Sequence, residues 1–195
     1  MDRETELTLV RRLREGDAAA FDAVHAEFHA RLFGFLARLS RRRDVAEDLV
    51  EETWLRLVGH SARLQADTRL GPWLFTVARN LYVSYCRSRA LEDSQASSLL
   101  ALWPFNPDQS SPFEEAAANE LERRVEAALA AMPAGAREVL LLVAVEGLQP
   151  SEAAEVCGVT PEALRQRLSR ARALLARALE DGEVSGLPIP SEVTP

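Results

Sequence analysis

The 195-residue sequence predicts an all-α protein: two small helical domains joined by a flexible acidic linker. Three observations carry that prediction. Apolar residues recur at spacings of three and four in every periodic stretch, and none alternates as a strand would. From Leu91 to Glu122 the periodicity lapses, with seven acids and no base, so this segment alone accounts for the net charge of −7. Near the end, Thr160 to Arg177 reads as a helix with its own start signal and five arginines to one glutamate.

The first domain, residues 1–90, holds four expected helices. The first spans 4–15 and is closed by Gly16-Asp17. The second spans 17–39, with Phe21, Val24, Phe28, Leu32, Phe35 and Leu39 on one stripe. After the basic corner Arg41-Arg42-Arg43, Asp44 is expected to cap a third helix. In it Val45, Leu49, Trp54, Leu55 and Val58 point inward, while Glu47, Asp48, Glu51 and Glu52 form an acidic face. Residues 59–72 read as a polar loop, and a fourth helix runs over 72–89.

Residues 91–114 form the linker, rich in turn formers and proline around Trp103-Pro104-Phe105. The second domain, 115–180, continues an alanine-rich helix begun at Phe113, broken by Met132-Pro133-Ala134-Gly135. A helix over 137–146 ends at Gly147, and Ser151 is expected to cap a short helix over 152–157. Gly158-Val159 then turns the chain, Thr160 caps the last helix and Pro161 occupies a first-turn position where no hydrogen bond is lost. Residues 181–195 read as a disordered tail.

No apolar run is long enough to cross a bilayer and Met1-Asp2-Arg3-Glu4 does not open a leader, so a cytoplasmic protein without membrane insertion is expected. Cys86 and Cys157 are far apart without companions at metal-ligand spacing, which predicts buried free thiols. His25 and His29 stand one helical turn apart, but His-Ala-Glu-Phe-His is not the zinc-hydrolase pattern; no metal, cofactor or enzymatic activity is expected. The acidic balance does not argue against nucleic acid, because local charge governs phosphate binding. Once the linker's acid is set aside, Arg79, Arg87 and Arg89 form one basic island and the last helix another.

Ala154, Gly158 and Leu164 carry the small, turn and bulky residues that a helix-turn-helix needs where its two helices cross. The helix after them has Leu164, Leu168, Ala171 and Leu175 on one stripe, with arginines and glutamine beside it. Arginine suits guanine edges and glutamine suits adenine edges, so this helix is built to read a major groove.

The stretch from Ala131-Met132-Pro133 through Arg137-Glu138-Val139-Leu140, Glu146-Gly147-Leu148, Glu152-Ala153-Ala154 and Leu164-Arg165-Gln166-Arg167-Leu168-Ser169-Arg170 resembles region 4 of bacterial extracytoplasmic-function sigma factors. Asp44-Val45-Ala46-Glu47-Asp48-Leu49 and Pro72-Trp73-Leu74-Phe75-Thr76-Val77-Ala78-Arg79-Asn80 resemble that family's core-binding and promoter-melting helices in region 2. The resemblance implies a promoter-directing factor whose partners are core RNA polymerase (the β′ clamp helices and the β subunit), promoter DNA and an anti-sigma factor. It implies polymerase contact by Asp44, Glu47, Asp48, Glu51 and Glu52, with Glu51 where the family usually has glutamine. It implies −35 contact by Arg165, Gln166, Ser169, Arg170 and Arg172, with Ser151 beside the phosphates. For the −10 strand it points to Asn80 and the 59–71 loop for base capture and to Arg79, Arg87 and Arg89 for the backbone, with Trp73 as melting wedge or core aromatic. Ser84 replaces the family's usual aspartate, and Val143 a usual basic residue. In the family the linker threads toward the RNA exit path; a plain tether fits its composition equally. The rival reading from another class is a sigma-like decoy that sequesters an anti-sigma factor. A dimeric helix-turn-helix repressor would leave the first domain unexplained.

Overall fold

The computed structural model describes residues 1–94 and 119–185. Every regular element among them is helical: α1 Arg3–Arg14, α2 Ala18–Ser40, α3 Arg43–His60, α4 Leu70–Ser94, α5 Glu120–Ala131, α6 Ala134–Leu140, α7 Pro150–Cys157 and α8 Pro161–Ser185. A 3₁₀ turn, Ser61–Arg63, follows α3, and a π turn, Leu141–Val145, continues α6.

The expected starts of α2 and α8 are realised. The Asp17 carboxylate accepts from the N–H groups of Ala19 (2.9 Å) and Ala20 (3.4 Å), and the Thr160 hydroxyl accepts from Ala163 N–H at 3.2 Å. Gly158 closes α7 in the left-handed region at φ +64°, where a side chain would strain the backbone. Ala154 and Leu164, on either side of that turn, are both buried in the core.

Several expectations need correction. Asp44 does not cap α3: the helix begins one residue earlier at Arg43, and Asp44 sits in its first turn, bonded to the Arg42 guanidinium. Nor does Ser151 cap α7, which begins at Pro150; the Glu152 carboxylate instead accepts from Gln149 N–H at 2.8 Å. The interval 59–72 is only partly loop, since α3 extends through His60 and α4 starts at Leu70, with Leu64 and Leu70 buried. Leu55 and Val58 point outward, 65% and 58% exposed, while Ala46, Val50, Thr53, Trp54 and Leu57 make the inner stripe. The helix expected over 137–146 divides into α6 and the π turn. The chain is still helical at Ser94, where the linker was expected, and α8 continues to Ser185, past the expected start of the tail. The rest of the linker, Trp103 and Phe105 included, and the tail beyond Ser185 lie outside the described residues.

The first half packs α1, α2, α3 and α4 around Leu32, Phe35, Leu36, Leu57, Leu74 and Phe75, with the Phe35 and Phe75 rings edge to face at 5.3 Å. One polar link fixes α4. The buried Glu6 carboxylate, paired with Arg3, accepts from Leu70 N–H at 2.7 Å, where the positive end of the helix dipole favours an anion. The second half packs α5, α6, α7 and α8 around Val139, Leu141, Leu142, Ala154, Leu164 and Ala171. The halves touch, chiefly through α4 against α7, and their apolar residues form one continuous core.

Candidate nucleic-acid and polymerase interfaces

Helix α8 buries Leu164, Leu168 and Ala171 and turns Arg165, Gln166, Arg167, Ser169, Arg170 and Arg172 to solvent. The fold holds this polar face outward because the opposite stripe is locked into the core. Arg165 rests on Glu162 at 2.5 Å and Arg170 donates to Gln166 O at 3.3 Å. Both are exposed contacts within one helical turn and are screened by solvent, so DNA displaces them at little cost. Ser151 is exposed in the first turn of α7, on the other arm of the helix-turn-helix.

In the first half, α3 and α4 enclose an open groove of about 330 Å³ lined by Arg56, His60, Trp73, Val77, Asn80, Leu81 and Ser84. The His60 ring lies nearly parallel to that of Trp73, at 5.7 Å and 20°. The groove thus offers flat apolar surfaces, an amide, a hydroxyl and a guanidinium, as capture of an unstacked base requires. Trp73 is half-buried and faces the groove, so it is neither wholly core nor wholly free. Arg56 carries no signal of its own in the sequence, and His60 falls within the 59–71 interval expected to capture a base without being singled out there. Their joint signal is spacing: they sit one turn apart at the end of α3, across the loop from Trp73.

The cations assigned to the −10 strand scatter around α4. Arg87 lies on the groove stripe, two turns beyond Asn80, and is exposed. Arg89 is exposed but about 180° around the helix from Asn80, at 100° per residue. Arg79 points to the second half, donating to the Glu138 carboxylate at 2.9 Å.

The acidic face of α3 is present and partly self-neutralised. Arg42 holds Asp44, keeping its carboxyl below the usual range, and Arg43 and Arg56 hold Glu47 and Glu52 at 2.8 and 2.7 Å. Asp48 and Glu51 are exposed, and with Leu55 and Val58 they share one face at helical spacing. The surface therefore sets two exposed aliphatic side chains among acidic ones.

Neither cysteine has nucleophile character. Burial raises both thiols, Cys157 to about 12 with the neighbouring Glu138 charge adding to the effect. His25 and His29 stack at 4.6 Å beside Trp54, whose indole N–H donates to His29 Nδ1 at 3.2 Å. Among the described residues no three His, Cys, Asp or Glu side chains converge as metal ligands.

Comparison with known proteins agrees with this layout. Residues 24–92 match the family model "Sigma-70 region 2" and residues 122–175 match "Sigma-70, region 4". The RNA polymerase sigma factor CarQ of Myxococcus xanthus is 33% identical over 175 residues, covering 89% of this chain and 97% of that protein. The ECF RNA polymerase sigma factor EcfG of Rhodopseudomonas palustris is 36% identical over 150 residues, 76% of this chain and 78% of that one. Among solved structures, the sigma factor RpoE of Bartonella quintana, crystallised with the anti-sigma factor NepR, matches with a TM-score of 0.62 and 29% identity over 80% of this chain and 95% of that one. CnrH, solved with the cytosolic domain of CnrY, shares the fold at a TM-score of 0.67 and 23% identity, over 91% of this chain and 98% of that one. With regions 2 and 4 in order and identity to a sigma factor over nearly its whole length, the chain belongs to the extracytoplasmic-function family of RNA polymerase sigma factors.

Proposed function

We propose that this sigma factor divides its work among three surfaces. The α3 face, with Asp48, Glu51, Leu55 and Val58 at its centre and Asp44, Glu47 and Glu52 around them, binds the basic clamp helices of the β′ subunit. The α3–α4 groove, with Asn80, Trp73, His60 and Arg56, takes up an extruded base of the −10 strand, while Arg87 and Arg89 meet the backbone. Helix α8 reads the −35 element through Arg165, Gln166, Ser169, Arg170 and Arg172, with Ser151 at the phosphates. Acting on RNA polymerase places the chain in the cytoplasm as an initiation factor without catalytic chemistry of its own. An anti-sigma factor controls it, a reading supported by the likeness to a sigma factor crystallised with one.

The observation that carries this reading is the outward array of arginines and glutamine on α8, held by a buried stripe. A decoy that sequesters an anti-sigma factor has no use for it. In promoter-selection experiments with reconstituted holoenzyme, Arg165→Ala is expected to lose about 1–3 kcal/mol of −35 recognition and to relax preference at one position. An unaltered preference removes Arg165 from the reader.

A further inference from the structure

Helix α1 contributes to none of the three surfaces, yet its first turn grips the segment that leads into α4. Arg3 Nη2 donates to Asp67 O at 2.6 Å and Arg3 Nη1 to Thr68 O at 3.3 Å. The same Nη1 meets one oxygen of the buried Glu6 carboxylate at 2.5 Å, and the other oxygen accepts from Leu70 N–H at 2.7 Å. One ion pair thus ties three backbone groups, and every bond it makes to the segment goes to the main chain. Leu64 and Leu70 are buried at the ends of this interval, whereas Gln65, Ala66, Asp67 and Arg69 between them are exposed.

Leu70 opens α4, so Trp73 and Asn80 follow it at about one and about three turns. Fixing the Leu70 N–H sets where α4 begins, and with it where both side chains enter the groove. Fixing Asp67 O and Thr68 O sets the path of the exposed interval beside that groove. A segment exposed over most of its length is loose unless its main chain is tied. Discrimination of one base tolerates looseness badly, since a displacement of about 1 Å is enough to cost it.

We propose that Arg3 and Glu6 are positioning residues for −10 recognition: they brace residues 67–70 so that the base-capture interval and the α3–α4 groove keep one geometry. The role rests on the sigma-factor reading above and on its placement of the −10 strand. Both side chains act through the backbone rather than on DNA. An acid in a domain that binds a polyanion works against that binding. Here both Glu6 oxygens are engaged within the protein, one by a guanidinium and one by the N-terminus of α4, so the charge is spent on holding the segment in place.

The test uses holoenzyme reconstituted from the full chain and core polymerase, with template pools randomised over the −10 or over the −35 element. Arg3 is exposed, so Arg3→Ala is expected to keep the melting temperature within about 4 °C of wild type. It is expected to lower −10 selectivity by about fivefold and to leave −35 selectivity unchanged. Glu6→Gln keeps the shape but offers one acceptor oxygen to two donors, so it is expected to lower −10 selectivity in the same direction. The shared direction separates a brace from direct attraction, because losing a cation and losing an anion would shift phosphate binding oppositely. In hydrogen exchange on the free chain, both variants are expected to speed exchange over residues 65–70 several-fold. Unchanged −10 selectivity in Arg3→Ala, opposite effects of the two variants, or lost selectivity with unchanged exchange overturns the brace. If Glu6→Gln loses its helical circular dichroism, Arg3→Ala decides through its selectivity and exchange together. A wild-type chain selective at neither element defeats the sigma-factor reading itself, and the assigned role with it; a selective wild type with an equally selective Arg3→Ala defeats the brace alone.

Discussion

Arg137→Ala is expected to destabilise the protein by about 3 kcal/mol, lowering the melting temperature by roughly 6–12 °C for a chain of this size. Arg137 is 2% exposed, and its guanidinium serves three directions. Nε donates to Leu129 O (2.7 Å), Nη2 to Ala130 O (2.7 Å) and Met132 O (2.8 Å), and Nη1 to Arg38 O (2.8 Å). The first three carbonyls end α5, and the fourth lies in the last turn of α2. One side chain therefore caps two helices from different halves. Truncation leaves those acceptors without partners in a place water reaches poorly, which costs far more than the bonds' net stabilisation. Lysine keeps the charge but not the planar fork, so Arg137→Lys is expected to recover less than half of the loss. A drop below 2 °C on differential scanning calorimetry would show that the carbonyls find other partners.

Leu55→Asp is expected to leave folding within about 0.5 kcal/mol of wild type and to weaken core polymerase binding by at least about 30-fold, the roughly 2 kcal/mol of an interface anchor. The two effects separate because Leu55 lies on the acidic side of α3, away from the Phe35 and Phe75 core. Acidic neighbours steer the encounter with a basic partner and set its rate; the aliphatic centre, once desolvated, sets the lifetime. Leu55→Met, which preserves apolar area, is expected to bind within a few-fold of wild type. Equal affinity for the aspartate variant in an anisotropy titration would move the polymerase contact off this face.

The Leu55 face also shows where the sequence was legible and where it was not. The inward set expected for the third helix, Val45, Leu49, Trp54, Leu55 and Val58, put Leu55 and Val58 in the core and left out Val50 and Leu57, which are buried. Strict 3.6-residue spacing instead groups Leu55 and Val58 with Asp48 and Glu51, and the structure follows the spacing. Helix boundary signals read well where one residue alone could act, as with Thr160 at the start of α8 and Gly158 at the end of α7. They read poorly at Asp44 and Ser151, where two polar candidates lie within one turn and the carbonyl that opens the helix decides: Arg42 O, accepting from Ala46 N–H, sets the start of α3. The recognition helix was readable because its chemistry is local. The groove was half readable: Asn80 and Trp73 were found, whereas Arg56 and His60 gain meaning only when α3 packs on α4. The interdomain pair was not readable at all. Arg79 and Glu138 stand 59 residues apart, and nothing in either neighbourhood names the other.

The central claim is that this chain directs core RNA polymerase to promoters. Run-off transcription with purified chain, core enzyme and a genomic promoter pool tests it most directly. The account predicts transcripts from a restricted set of templates, dependent on the chain and weakened by Arg165→Ala. A chain that binds core polymerase or an anti-sigma factor yet yields no transcript from any template would contradict it and make the molecule a decoy.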